Sequence, residues 1–430
     1  MLDETEEDAD YEEDETGKIK STNYSKNAKA LGELRSKNIN VSLIDINNSS
    51  FGFRPDVENN SILYGLKGVN KVGDPVIEQI VAGRPYTGIQ DFMLRCPLKK
   101  DAMISLIKAG AFDKTDEHWA KELCSEPRIA IMAFYISKIS EPKSKLTLQN
   151  FNGLMQRDLI PDSLLECKQA FVMNGYLKKF KDGDYFYVNA PQLQQVLDKY
   201  YNSVIKDVNQ DIYVINQLTW KKHYDSIMDK ARDWLKQNQQ EVLNKLNTAL
   251  FMECWEKYAS GTVSAWEMEA LCFYYHKHEL ADIDTVKYGI SDFEALPTIP
   301  VVEKTFKRNG VDIPIFETTK IIGTVIGKND SKSTVSLLTT SGVVTVKMTK
   351  EYFAMYNKQI SQLGADGKKH VLEKGWFTRG NKILCTGFRR DDMFVCKSYK
   401  HTATHQLYKI TAVINGVEME VEHDRVQAEE

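Results

Sequence analysis

The chain has 430 residues, 42% of them apolar and 10% aromatic, enough for two to four domains that each bury a core. It contains no apolar run long enough to span a bilayer, and its first residues are acidic where a secretory signal would be basic and then apolar, so the expected location is the cytoplasm and no membrane partner is expected. The seven cysteines (Cys96, Cys124, Cys167, Cys254, Cys272, Cys385 and Cys396) are scattered and never spaced as C-x-x-C, which argues against a disulfide framework and against a zinc knuckle.

The formal net charge of −4 hides two opposed segments. Residues 1–16 hold ten Asp and Glu and no Lys or Arg, so the remainder carries +6. Between Thr318 and Asn415 sixteen Lys and Arg face six Asp and Glu, an excess of +10. A basic domain beside an acidic tail fits a nucleic-acid partner, although a solvated basic face accounts for the charge equally well.

Taken in chain order, residues 1–20 are dense in like charge and poor in hydrophobics, which predicts a disordered acidic tail. Ala28, Leu31 and Leu34 set a helix over Tyr24–Arg35, which feeds a strand at Ile39–Ile44. Over residues 61–115 short helices alternate with tight turns. The segment Ile62–Val69, the turn Asn70–Gly73 and a helix Asp74–Ala82 with Pro75 in its first turn make a helix-hairpin-helix candidate. A looser second hairpin runs from Gly88–Arg95 through Lys99 and Lys100 to Leu106–Phe112.

Residues 116–295 read as mostly helical with one β-hairpin, in which Tyr176–Phe180 and Tyr185–Val188 flank the turn Lys181–Asp184. Residues 296–317, with Pro297 and Pro300, suit a linker. Over residues 318–415 five short β-branched strands follow: Ile321–Ile326, Thr334–Thr339, Val343–Met348, Lys382–Gly387 and Met393–Lys397. With a helix around Tyr352 and Phe353 between the third and fourth, they point to a small barrel of the oligonucleotide-binding (OB) kind, a sandwich or another small barrel being the alternatives. Residues 416–430 read as an acidic tail. The expected fold class is multidomain α+β: a helix-hairpin-helix region, a mostly helical middle and a C-terminal OB-like β-barrel.

The candidate DNA-binding residues follow from these elements. At the hairpin, backbone N–H groups at Gly73 and the next helix N-terminus would face a phosphate, with Lys67, Lys71 and Arg84 adding charge; the alternative is a hairpin that only packs its domain. Lys99 and Lys100 would hold a second phosphate. In the barrel Trp376, Phe377, Phe388, Phe394 and Tyr399 are interleaved with Lys374, Arg379, Lys382, Arg389, Arg390 and Lys397, the pattern of a stacking platform for single strands, with about half the aromatics assigned to the core by alternation.

The stretch Asn38–Asp113 resembles the bacterial DNA polymerase III alpha subunit, a C-family replicative polymerase, just downstream of its fingers. The matching pieces are Ile39–Val41 and Asp45–Ser49, Ile62–Val69, Val72–Gly73, Ile80–Arg84, Asp91–Phe92 and Leu106–Asp113. A second match, Trp266–Leu280, is similar to the family helix that precedes its barrel domain. The resemblance makes residues 21–60 the end of a fingers-like region. Three family positions are altered: Lys71 stands for the first hairpin glycine, and Cys272 and Glu279 stand for a glycine and a proline. Such divergence suggests a phage or another mobile replicon.

The resemblance implies the C-terminal, DNA-binding and replisome-docking portion of such a polymerase. The polymerising palm, with two metal ions on clustered aspartates, would lie upstream of the first match, which 37 residues precede here. Asp8 and Asp10, Asp182 and Asp184, and Asp282 and Asp284 are better explained as solvated or turn carboxylates than as that cluster. No catalytic residue, metal or cofactor is therefore expected in this chain, and magnesium only on a palm-bearing partner chain. Expected partners are duplex and single-stranded DNA, that palm-bearing chain and the sliding clamp with other replisome proteins. The family's clamp-docking peptide has no clean copy; Gln217–Trp220 is nearest, with Leu218 and Trp220 read as packing internally. The alternative function is a stand-alone DNA-binding replication accessory protein.

Overall fold

The computed structural model describes residues 39–57, 60–364, 369–399 and 405–425, with 30, 31 and 34 before them; the expected acidic tail over 1–20 and most of the helix over Tyr24–Arg35 lie outside the described residues. The chain divides into two compact units, one of residues 1–132 and 261–430 and one of residues 133–260.

In the first unit three short strands, β1 (Asn40–Ser42), β2 (Arg54–Asp56) and β3 (Ser61–Leu63), form a sheet in the order β1-β3-β2, with β1 parallel and β2 antiparallel to β3. Ile62–Val69 is thus a strand followed by a 3-10 turn, Leu66–Gly68. The helix Asp74–Ala82 begins where expected because Gly73 caps it in extended backbone and Pro75 supplies a helical φ at its start. Two further helices, Ile89–Arg95 and Lys100–Lys108, complete the hairpin region. Ile77, Ile80, Ile89, Phe92 and Leu106 on these helices and Phe112 just beyond them are buried, and Phe92 meets Tyr86 and Phe112 edge to face at 4.8 and 5.1 Å.

The second unit has its own core, running from Leu146 to Leu246. Its long helices Gln217–Gln237 and Gln239–Ala259 accompany an antiparallel sheet of β4 (Lys181–Asp182), β5 (Tyr185–Val188), β6 (Ile205–Asn209) and β7 (Ile212–Asn216), ordered β4-β5-β7-β6. The Asp-Gly hairpin is present but its first arm is shorter than the sequence suggests: Tyr176 lies in the helix Leu165–Leu177 and Lys178–Phe180 in a 3-10 turn. The β6–β7 hairpin leaves no turn signal in the sequence because Gln210 and Asp211, at φ of 46° and 65°, make its left-handed turn without a glycine. Trp220 is buried in this core, as expected, whereas Leu218 is 70% exposed on the first turn of its helix.

The C-terminal part of the first unit holds fewer irregular segments than the sequence predicts. Residues 296–317 contain an antiparallel hairpin, β8 (Val302–Arg308) with β9 (Val311–Phe316), where a plain linker is expected. Five strands then close a barrel: β10 (Thr319–Asn329), β11 (Thr334–Leu338), β12 (Val343–Lys347), β15 (Lys382–Arg390) and β16 (Met393–Cys396), with β13 (Ile360–Leu363) and β14 (Lys369–Glu373) forming a separate two-stranded ribbon. The order runs β10-β11-β12-β16-β15 and back to β10, and β12–β16 is the one parallel pair in that ring. Closure depends on β10, whose first half, Thr319–Thr324, pairs with β15 and whose second half, from Thr324 onward, pairs with β11 with a bulge between Val325 and Gly327. A helix Lys350–Asn357 follows β12, so the topology is that of an OB-like barrel. Strands β17 (Leu407–Ile414) and β18 (Glu418–Glu422) extend the sheet from β15, so the expected acidic tail begins as a strand: Met419 is buried while Glu418 and Glu420 point to solvent. Arg425 then folds back, donating to the carbonyls of Met355 (2.7 Å) and Lys358 (2.5 Å) and to Glu373 (3.1 Å).

Candidate nucleic-acid interface

The helix Val263–Leu271 and the segment after it join the hairpin region to the barrel. On one side Tyr64 Oη donates to Leu271 O (3.1 Å), Asn70 N to Ala270 O (2.7 Å), and the buried Lys108 ammonium pairs with Glu269 (2.5 Å). On the other, Tyr274 Oη meets Thr324 Oγ1 at 2.9 Å and His278 Nε2 donates to Leu338 O at 3.0 Å. Between them lies a buried ion network. Arg128, fully buried, pairs with Asp113 (2.5 Å) and with Glu267 (3.0 Å), itself fully buried. Glu267 also accepts from the backbone N–H of Tyr275 and His276 and pairs with the His276 ring at 2.6 Å. Burial alone would raise the Glu267 carboxyl, but His276 and Arg128 outweigh it and hold it below the usual carboxylate range. A side chain at Gly110 would be strained: its φ is +83° and a Cβ would sit 2.6 Å from Arg128 Nη2.

The structure sorts the hairpin cations into two groups. Lys71, Lys99 and Lys100 are exposed, the first on the turn before the helix Asp74–Ala82 and the others at the start of Lys100–Lys108. Gly73 is exposed in extended backbone between Lys71 and that helix. Lys67, by contrast, is ion-paired with Asp74, which occupies the helix N-terminus where the sequence suggests a phosphate. Arg84 is partly buried: Nε donates to Ile46 O (2.7 Å) and Nη2 to Ser49 O (2.6 Å), so it holds the Asp45–Ser49 turn. Desolvation by that burial lowers the Arg84 pKa.

Two positions at which the sequence resemblance implies a glycine share one backbone feature. Lys71 has φ +64° and Cys272, closing the helix Val263–Leu271, has φ +57°. Both keep the left-handed backbone that glycine adopts freely, at a steric cost of about 1 to 2 kcal/mol for an ordinary residue. Glu279 accepts from Tyr274 Oη (3.1 Å) and pairs with Lys382 (3.0 Å).

In the barrel the expected stacking platform is mostly core. Trp376, Phe377 and Phe394 point inward and are buried, and Phe388, which faces outward, is 7% exposed because Phe316 of the β8–β9 hairpin covers it at 4.8 Å. More than half of the expected aromatics are thus withdrawn; Tyr399 stays half-buried. Among the cations, Lys382 is tied to Glu279, and Arg389 donates to the carbonyls of Phe293 (3.0 Å), Glu294 and Leu296 and lies over the Phe293 ring, so both serve the fold. Lys374, Arg379, Arg390 and Lys397 remain on the surface, Arg390 over Phe316 and Phe388 and Lys397 near Tyr399. The carboxylate pairs are plain in role: Asp182 and Asp184 are exposed at a turn, Asp282 pairs with Lys277, and Asp284 caps the turn Thr285–Tyr288. Among the described residues no three His, Cys, Asp or Glu are grouped to hold a metal ion, and no helix is long and apolar enough to cross a membrane.

A helix-hairpin-helix region and an OB-like barrel within one compact unit define a multidomain nucleic-acid-binding architecture. Residues 38–121 match the family described as the helix-hairpin-helix motif. Over 426 residues, 95% of this chain, the sequence is 40% identical to a probable DNA polymerase YorL of Bacillus subtilis and, equally, to a DNA-directed DNA polymerase of Bacillus phage SPbeta. It is 33% identical over 150 residues to the DNA polymerase III subunit alpha of Borreliella burgdorferi. The chain spans about a third of the length of the first two relatives, 31% of each, and 12% of the third. It is a divergent relative of the C-family replicative DNA polymerases, the family of the DNA polymerase III alpha subunit, with a phage-encoded homologue.

Proposed function

We propose that this chain is the C-terminal DNA-engaging and docking portion of a C-family replicative polymerase, working in the cytoplasm on duplex and single-stranded DNA with a palm-bearing polypeptide that supplies the magnesium-dependent chemistry. The observation that carries the reading is the exposure of Lys71, Lys99 and Lys100 at the turns of the hairpin region, on the same compact unit as a basic OB-like barrel. Lysines at helix-start turns contact phosphates without reading bases, which suits a polymerase that grips any sequence. Docking on a sliding clamp belongs to the same proposal; Gln217–Trp220 is an unsuitable peptide for it, since Trp220 is buried in the core of its unit.

The test is duplex-DNA binding by fluorescence anisotropy across a salt series. Replacing Lys71, Lys99 and Lys100 together with Ala is expected to flatten the slope of log affinity against log salt by about 0.9 for each phosphate that is no longer neutralised. An unchanged slope would make the hairpin structural only. Primer extension then separates the two roles. The chain alone is expected to incorporate no nucleotide, and adding a palm-bearing polypeptide of the same family should restore extension; tight DNA binding without that association would favour the stand-alone accessory protein.

A further inference from the structure

We infer that the groove beside β13, in the two-stranded ribbon β13–β14, is a docking site for an extended acidic peptide of a partner protein, one whose aliphatic side chains are flanked by carboxylates; this goes beyond the DNA-engaging reading and holds or fails apart from it. The groove encloses about 840 Å3, room for the side chains of a few residues. Met355, in the last turn of the helix Lys350–Asn357, and Lys358 line it together with Ser361 and Leu363 of β13, Lys369 of β14 and Arg425.

The backbone asks for an extended ligand. The ribbon is a sheet of its own, and among the described residues β13 has no strand on its outer side, so its outward N–H and C=O groups are a template for a further chain. A two-stranded ribbon is the sheet that gains most from a third strand. The side chains ask for aliphatic contact: Ser361 is opposite Val371 and Leu363 opposite Lys369, so these four share one face of the ribbon, where Leu363 is 67% and Val371 50% exposed beside the equally exposed Met355. Charge then selects the sign. Every charged side chain lining the groove is a cation (Lys358, Lys369 and Arg425), and no carboxylate lines it among the described residues. Arg425 is committed to Glu373 and to the carbonyls of Met355 and Lys358, which leaves the two exposed lysines. They stand at the two ends of β13, Lys358 two residues before its start and Lys369 opposite its last residue. The complement of cation, aliphatic surface and cation is carboxylate, aliphatic side chain and carboxylate. No aromatic ring lines the groove, so a nucleic-acid base would find nothing to stack on.

The experiment uses the full chain and a fluorescein-labelled peptide of about ten residues in which two leucines, spaced to share one face of a strand, are flanked on both sides by aspartates. The parent is expected to bind it, and to bind a control with serine for leucine at least about tenfold more weakly. Leu363→Asp should weaken binding of the leucine peptide about 10- to 100-fold, the loss of one leucine contact, with an unchanged melting temperature because the side chain is already exposed. Lys358→Glu with Lys369→Glu should weaken it at low salt and remove the salt dependence of what remains. Duplex and oligothymidylate affinities of Leu363→Asp, measured in parallel, should stay within about twofold of the parent. No binding of the leucine peptide to the parent, or binding that neither variant changes, overturns the assignment while leaving the DNA-engaging reading as the DNA measurements find it. Equal binding of the leucine and serine peptides overturns it in favour of a general anionic surface, and equal losses of peptide and DNA in favour of a nucleic-acid surface. A parent that sediments as a dimer, with Leu363→Asp a monomer, overturns it in favour of a second copy of the chain.

Discussion

The hairpin region and the barrel solve the same problem, presenting cations beside a packed core, in opposite ways. In the hairpin region the turns come from local sequence, and Lys71, Lys99 and Lys100 project from them directly. In the barrel the aromatics interleaved with cations are drawn inward, so the exposed rings come from the neighbouring β8–β9 hairpin. The difference teaches that a basic, aromatic sequence pattern marks a binding surface only where the aromatics are not needed to fill the core. A five-stranded barrel has little interior to fill, yet Trp376, Phe377 and Phe394 fill it.

The comparison breaks most sharply at the junction of the two regions. Arg128→Ala leaves Glu267 buried without its guanidinium partner, and an expected loss of about 3 to 5 kcal/mol should appear as a lowered midpoint in urea denaturation. A loss under about 1 kcal/mol would mean that the network is relieved by water. The next effect tests the partly buried cation. Arg84→Ala removes two charge-assisted hydrogen bonds to carbonyls and should cost about 1.5 to 3 kcal/mol of stability. Because Arg84 serves the Asp45–Ser49 turn, the duplex salt slope of the folded variant should equal that of the parent; a flattened slope would return Arg84 to the DNA-binding surface.

Lys71→Gly separates backbone from charge at one position. Relieving the left-handed lysine should stabilise the fold by up to about 1 kcal/mol, part of the gain being offset by glycine's greater freedom in the unfolded chain, while duplex binding weakens through the lost ammonium. Stabilisation without weaker binding would show that Lys71 touches no phosphate. The smallest expected effect is pH-dependent. The hydrogen bond to Glu267 raises His276 above its ordinary value of 6.5, so the stability His276 contributes is present below that value and is lost as pH rises through the raised pKa. Between about pH 6 and pH 8 the melting temperature of the parent should therefore fall more than that of His276→Gln. Parallel curves would show that the His276 ring contributes only packing.

What local chemistry decides is legible in the sequence. Gly73 and Pro75 set the start of the helix Asp74–Ala82, Asp-Gly places the β4–β5 turn, and alternating β-branched residues mark all five barrel strands to within a few residues. The resemblance to a polymerase segment rests on pieces of this kind and is matched by the relatives. The β8–β9 hairpin is not legible, because its turn residues Asn309 and Gly310 follow two prolines that signal a linker and, among the described residues, its strands pair only with each other. The fate of individual cations is not legible either. Arg84 and Arg389 differ from Lys71 and Lys397 in nothing that spacing records; what separates them is whether the folded chain brings unpaired carbonyls within reach. A buried carbonyl must find a donor, and a guanidinium with several N–H groups satisfies two or three at once. Which arginines are claimed in this way depends on contacts between residues 35 to 96 apart in sequence, and only the tertiary structure decides them.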